Sequence, residues 1–386
     1  MSPSAIERTL GELVAINSIN PALPGGVADA EGRVCAWIAD FCRKHSLEFE
    51  TMEVAPGRPN LLVRVPGRDE RRALLLEAHT DVVAVEGYRG EPFTPFVREG
   101  RLYGRGACDT KASLTAMLHT MLVLKQQPPP VTVYLLAAMS EEIDCLGIKH
   151  FVEHWLPRLD GTTFLGAVVG EPTGFEIVRA HKGSLRWKIV TRGRAAHSAR
   201  PDLGVNAIHK MAGVIRAIED QILPQLARRT HSLLGPPTMN IGVIQGGVQV
   251  NFVPDQCWIE VDRRLLPGET SESILAELDA VLDPLRRNDP DLTVEHQGAK
   301  FDPPLETPAE ADIVLAAARV VDRALGRHAI VGAPYCTDAS KLALAGIPTI
   351  VLGPGHIAQA HTTEEWVELR QVEQAVALYL GIAREP

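Results

Sequence analysis

The stretch Ala73-Leu74-Leu75-Leu76-Glu77-Ala78-His79-Thr80-Asp81 is an apolar run that stops in an imidazole and a carboxylate. A short apolar run with such an end reads as a buried strand. On an extended chain His79 and Asp81 point the same way. The design recurs. Residues 131–138 are apolar and run into Met139-Ser140-Glu141-Glu142. Residues 165–169 run into Gly170-Glu171-Pro172, and residues 349–352 into a glycine-rich turn that ends at His361. Residues 60–65 form a further strand. Residues 111–125 carry apolar side chains at 114, 117, 118, 121, 122 and 124, the spacing of a helix. A second helix is expected over residues 147–155. Strands alternating with helices predict an α/β domain with a mostly parallel central sheet covered by helices. Ligands of such sheets bind beyond the C-terminal ends of the strands.

The pattern changes near Ala180. Leu185, Trp187 and Ile189 alternate with Arg186 and Lys188, as in a half-exposed strand. A helix follows over residues 207–219, then strands near 238–244 and 257–263, a helix over 272–285 and a strand near 292–295. This β-α-β-β-α-β order predicts a ferredoxin-like α+β domain, residues 180–297, inserted in the α/β domain of residues 1–179 and 298–386. Phe301-Asp302-Pro303-Pro304 reads as the exit linker. Helices over 311–324 and 371–382 close the chain, and an amphipathic helix near Ser4 opens it.

A chain of 386 residues is longer than one core usually supports, which fits two domains. Lys plus Arg total 39 against 48 Asp plus Glu, a net charge of −9. That balance, with no basic run, argues against nucleic acid and anionic membranes as partners. No apolar stretch approaches the roughly 20 residues of a membrane span. The opening residues lack the pattern of a signal peptide. The six cysteines, at 35, 42, 108, 145, 257 and 336, are scattered and read as free thiols of a cytoplasmic protein. Cys108 and Cys145 stand beside possible catalytic residues, which keeps a thiol nucleophile in view.

Each polar strand end has two readings. His79 is a metal ligand with Asp81 behind it, or half of a hydrogen-bonded pair at a loop start. Asp109, in Gly104-Arg105-Gly106-Ala107-Cys108-Asp109-Thr110-Lys111, bridges two cations or caps the helix that follows. Glu141 and Glu142 are adjacent carboxylates that burial would penalise without a nearby positive charge. Glu171 is a fourth strand-end acid. His361 competes with His356, and either is otherwise a loop histidine. Mixed histidine and carboxylate donors suit Zn²⁺, Co²⁺ or Mn²⁺, and five ligands with one shared carboxylate fit two ions ~3.5–4 Å apart. Gly104-Arg105-Gly106 matches neither phosphate-loop pattern, so nucleotide binding is not expected.

Together these segments resemble the M20 family of co-catalytic zinc peptidases and deacylases, over nearly the whole chain. The resemblance implies that Asp109 bridges two divalent ions, Zn²⁺ or alternatively Co²⁺. His79 and Glu171 would complete one site, and Glu142 and His361 the other. Asp81 would orient His79, and Glu141 would be the general base. The peptide bond after Asp109 is expected to be cis. Thr110 and Ala112 depart from the family's usual Met and Gly, at positions that donate no ligand. The inserted domain is implied to be a lid and dimerisation domain. His197, in Gly193-Arg194-Ala195-Ala196-His197-Ser198-Ala199-Arg200-Pro201, would then serve the partner subunit of a homodimer. Asn251 and Arg264, in segments resembling the substrate-binding lid strand, would hold the substrate carboxylate. Arg263 is the competing arginine, and a surface salt bridge the plain alternative. The implied activity is removal of the acyl group from an N-acyl-L-amino acid. Gln359-Ala360-His361 and Tyr335-Cys336-Thr337-Asp338-Ala339 resemble the acetylornithine-deacetylating branch, which would place the enzyme in arginine biosynthesis. Succinyl-diaminopimelate desuccinylase, a general aminoacylase, a cytosolic dipeptidase or carboxypeptidase, and a non-catalytic binding protein on the same fold are the alternatives.

Overall fold

The computed structural model describes residues 4–385. The chain forms two compact units, the first comprising Met1–Arg179, Thr307–Val331 and Thr337–Pro386 and the second Ala180–Glu306 and Gly332–Cys336. In chain order the elements used below are helices α1 (Ala5–Val14) and α2 (Ala30–His45), strands β1 (Glu48–Ala55), β2 (Arg58–Val65) and β3 (Asp69–His79), helix α3 (Lys111–Gln126), and strands β4 (Val131–Ala138) and β5 (Thr163–Val169). The second unit supplies β6 (Gly183–Arg192), α4 (Ala207–Ala217), β7 (Thr238–Gly246), β8 (Gln256–Leu265), α5 (Ser271–Asn288) and β9 (Thr293–Asp302). The first unit resumes with α6 (Asp312–Leu325), β10 (Thr349–Val351) and α7 (Leu369–Arg384).

In the first unit the strands lie in the order β1-β2-β4-β3-β5-β10. β4, β3, β5 and β10 are mutually parallel, while β1 and β2 join antiparallel at the edge. Central strands covered on both faces need apolar side chains at every position. β4, Val131–Ala138, accordingly has every residue buried. α3 lies on the sheet and packs against α1 and α7, and most of its residues are buried. That is why its apolar residues spread beyond one stripe. Ser4 caps α1 by accepting a hydrogen bond from the Glu7 N–H at 3.1 Å.

The second unit is a four-stranded antiparallel sheet, order β7-β8-β6-β9, with α4 and α5 on one face. Leu185, Trp187, Ile189, Cys257, Ile259 and Val261 point from β6 and β8 into its core. β9 runs to Asp302, so Phe301 and Asp302 are strand residues and not linker. Phe301 packs against the core and its register partner is Leu185, which explains the extension. The helix expected over residues 147–155 is two pieces, an α-helix over Leu146–His150 and wider π turns over Phe151–Trp155. Among the described residues no helix is long and apolar enough to cross a membrane.

Candidate metal centre

Four parallel strands end on one edge of the sheet. His79 of β3 is level with Ala138 of β4, Glu77 with Val169 of β5, and Val169 with Val351 of β10. The residues just beyond those positions therefore converge: Asp81, Glu141 with Glu142, Glu171, and the loop leading to His361. Asp109 enters from the turn before α3. Gly106 makes that turn with φ of +81°, and a Cβ there would lie 2.6 Å from Cγ1 of Val82. The Asp109–Thr110 peptide bond is cis. Ser140 and His361 hold φ of +61° and +59°, a region non-glycine residues seldom occupy.

The cluster has two halves that share Asp109. Nε2 of His79 lies 3.0 Å from Oδ1 of Asp109 and 3.8 Å from Oε1 of Glu171. Nε2 of His361 lies 3.3 Å from Oδ2 of Asp109 and 3.2 Å from Glu142. Tetrahedral ligands at 2.0–2.1 Å from a common ion stand about 3.3 Å apart, so the spacing suits one ion per half. Glu141 is also here, with donor atoms of His79, Glu141 and Glu171 all within 4.8 Å of one another.

The electrostatics ask for cations. Burial, reinforced by the charge of Asp109, pushes Glu142 up to about 7. Burial also drives Glu141 and Glu171 well above the carboxylate range, with neighbouring acids adding to it. Hydrogen bonding to Asp109 and Glu142 raises His361 to about 10. Burial opposes charge on His79, yet its contacts with Asp109 and Asp81 carry it well above the usual imidazole value. Burial would raise Asp109 too, but the two imidazoles hold it below its ordinary value. Five buried or half-buried carboxylates around two imidazoles are thus short of positive charge. Two divalent ions fit both the donors and the deficit.

A second set of contacts holds the cluster from behind. Nδ1 of His79 is 3.0 Å from the backbone oxygen of Asp81 and 3.5 Å from its Oδ1. The Asp81 carboxylate accepts from Asn20 Nδ2 at 2.8 Å and from the Glu141 and Glu142 N–H groups at 3.1 and 3.3 Å. It therefore aims both His79 and the acidic pair. Asn20 and Glu365 were not singled out in the sequence. Glu365 accepts four hydrogen bonds from the turn that carries Asp109. Cys108 is fully buried, and burial first, with the charges of Glu365 and Asp109, pushes its thiol well up, the reverse of the shift that activates a thiol nucleophile. His356 is turned to its own loop, where Nδ1 accepts from the Ala358 N–H at 3.1 Å.

The second unit holds the other three expected residues. His197 pairs with Phe252 across a two-residue ladder, and the Ser198 N–H donates to the backbone oxygen of Asn251 at 3.0 Å. His197 and Asn251 thus lie side by side, both exposed, where two segments distant in sequence pair. Arg263 and Arg264 point to opposite faces of β8. Arg263 is buried, with Nη2 2.8 Å from Glu269 and Nη1 2.8 Å from Glu277. Arg264 is half-exposed, with Nε 2.9 Å from Asp262.

The profile of the peptidase family M20/M25/M40 matches residues 75–385. An acetylornithine deacetylase of Myxococcus xanthus is 32% identical over 379 residues, 97% of this chain and 95% of that protein. A metallo-carboxypeptidase of the M20 family from Sulfolobus solfataricus superposes with a TM-score of 0.81 at 18% identity, covering 99% of both chains. A dinuclear metal-binding M20 peptidase from Bacillus subtilis superposes with a TM-score of 0.74 at 15% identity, over 98% of this chain and 96% of that one. At those identities the two structures speak for the fold alone.

Proposed function

We propose that this chain, which belongs to peptidase family M20/M25/M40 and is a metal-dependent amide hydrolase, deacylates N-acyl-L-amino acids, with N-acetylornithine as its substrate. The observation that carries the reading is Asp109, whose two oxygens face two different imidazoles at 3.0 and 3.3 Å. His79 and Glu171 would hold one divalent ion with it, and Glu142 and His361 the other. The mixed nitrogen and oxygen donors favour Zn²⁺. When bound, the ions supply Lewis acidity for the carbonyl and for the ionisation of water near about pH 7.

Besides Asp81, which is taken up by Asn20 and the Glu141 and Glu142 N–H groups, Glu141 is the acid of the cluster left without a ligand role in this scheme. Its place beside both halves suits it to take a proton from the attacking water and return it to the leaving amine. Asp81 holds the Glu141 N–H and keeps that acid in place. In the second unit both arginines are paired, Arg263 in the interior with Glu269 and Glu277 and Arg264 with Asp262, and the half-exposed Arg264 is the one open to meet a substrate carboxylate. Asn251 and His197 sit together to complete substrate binding and polarise the carbonyl. The 32% identity to an acetylornithine deacetylase over nearly the full chain supports the substrate, as does the Gln359-Ala360-His361 segment. That substrate would make it a cytoplasmic enzyme of arginine biosynthesis.

The free edge of β7 supports a homodimer through the second unit. Ile244 is exposed there, Val248 and Val250 in the loop that follows, and Phe252 on the short strand that pairs with His197. The test is turnover of N-acetylornithine, N-succinyl-diaminopimelate, N-acetylmethionine and a dipeptide by zinc-loaded protein, with Glu141→Ala alongside. Selective turnover of N-acetylornithine, lost in the variant, is expected. Preference for any other of the four overturns the substrate, and turnover by the variant overturns the base.

A further inference from the structure

Glu365 is 1% exposed and lies at the far side of the Asp109 turn. Its Oε1 accepts from the Cys108 N–H at 2.8 Å and the Asp109 N–H at 3.0 Å. Its Oε2 accepts from the Gly106 N–H at 3.0 Å and from Nη1 of Arg105 at 2.8 Å. An ionised carboxylate has about four acceptor sites, and here every one is filled by this single turn. The turn is also tied back: the Gly104 N–H donates to the Glu365 backbone oxygen at 3.1 Å, and Nη2 of Arg105 to the Thr362 oxygen at 3.1 Å. Thr362 directly follows His361. One buried anion therefore fastens the segment that carries Asp109 to the segment that carries His361.

We propose that Glu365 is the positioning residue that aims the bridging carboxylate of Asp109 and thereby sets the affinity of the cluster for its two ions. The inference rests on the dinuclear reading above. Glu365 touches none of the five proposed ligands' donor atoms; it acts on the backbone from which Asp109 projects. Groups that orient metal ligands from behind are worth roughly 10–100-fold in metal affinity. Gln is nearly isosteric but keeps one oxygen only. Whichever way its amide turns, one pair of N–H donors then faces an N–H₂ group. The turn must shift to relieve that opposition, and Asp109 shifts with it.

The experiment uses the full chain as wild type, Glu365→Gln and Glu365→Asp. Each is stripped with a chelator, then titrated with Zn²⁺ against a chromophoric competitor, with the metal-free melting curve recorded in parallel. Wild type should take two equivalents. Glu365→Gln should remain folded without metal yet bind Zn²⁺ roughly 10–100-fold more weakly. Its kcat should fall by more than its KM rises. Glu365→Asp keeps the charge but is too short to serve both donor pairs, and should fall between. Wild-type affinity in Glu365→Gln, or in Glu365→Asp if the Gln variant is unfolded, overturns the inference alone. Weak binding confined to variants with no folded metal-free state overturns it too, because Glu365 would then be merely structural. Fewer than two equivalents in wild type overturns the dinuclear reading and this inference with it.

Discussion

Asp109 and Glu141 are both acids of one cluster, yet their surroundings assign them different consequences when changed. Asp109 presents one oxygen to each half, so Asp109→Asn replaces a bridging anion by a group that can offer only one oxygen. Metal analysis after dialysis should find less than the two equivalents held by wild type, and turnover should vanish with the metal. Glu141→Ala removes no proposed ligand. It should keep both equivalents while kcat falls by about 10²–10⁴, the usual worth of a positioned acid or base. Equal metal loss in the two variants would sink this division of roles. The acids of the cluster were legible in the sequence because a carboxylate that ends an apolar strand is a local pattern. Asn20 and Glu365 were not. Asn20 meets Asp81 across 61 residues and Glu365 meets the Asp109 N–H across 256, and neither stands in a run that marks it.

At the scale of elements, the strand-and-helix alternation was readable from periodicity, and β4 was delimited from its apolar run alone. The order of the strands was not. β4 lies between β2 and β3, which are neighbours in sequence, and nothing local in β2 announces that its partner is 70 or so residues on. α2 went unread although Val34, Cys35, Ile38, Phe41 and Cys42 mark its buried face, because no sharp cap opens it. Its acid Glu31 is buried and paired with Arg58 of β2, which fixes the helix to the edge of the sheet. Arg58→Met should leave that carboxylate buried without its partner and cost about 3–5 kcal/mol, read from the urea midpoint. A loss under about 1 kcal/mol would mean that Glu31 finds water instead. The turn before α3 is equally specific. Gly106→Ala puts a methyl group against Val82 and a side chain at positive φ, at a cost of at least about 1–2 kcal/mol. Denaturation should show that loss, and metal affinity should fall with it because the displaced segment carries Asp109.

The whole molecule adds a second core to the first, and the second unit carries exposed groups that its own packing does not use. His197 and Asn251 stand exposed side by side on two paired segments distant in sequence, and the apolar side chains Val248 and Val250 are 93% and 100% exposed in the loop after β7. A single chain has little reason to leave such residues uncovered, whereas a two-fold dimer buries the same patch twice. If that dimer exists and His197 acts on the partner's substrate, two inactive variants should rescue each other. In a mixture of Glu141→Ala and His197→Ala chains, half of the randomly reassociated dimers are mixed. Each mixed dimer has one protomer with an intact Glu141, and the His197 delivered to it comes from the other chain, which has an intact histidine. Its second site lacks both groups. One working site in half of the dimers predicts roughly a quarter of wild-type activity from two parents that each have almost none. Unfolding and refolding the mixture, then measuring N-acetylornithine turnover, decides the matter. Recovery near a quarter requires histidine donation between subunits. No recovery, with dimers present by light scattering, means that each chain supplies its own His197 or that His197 has no part in turnover, and the activity of His197→Ala alone separates those two cases.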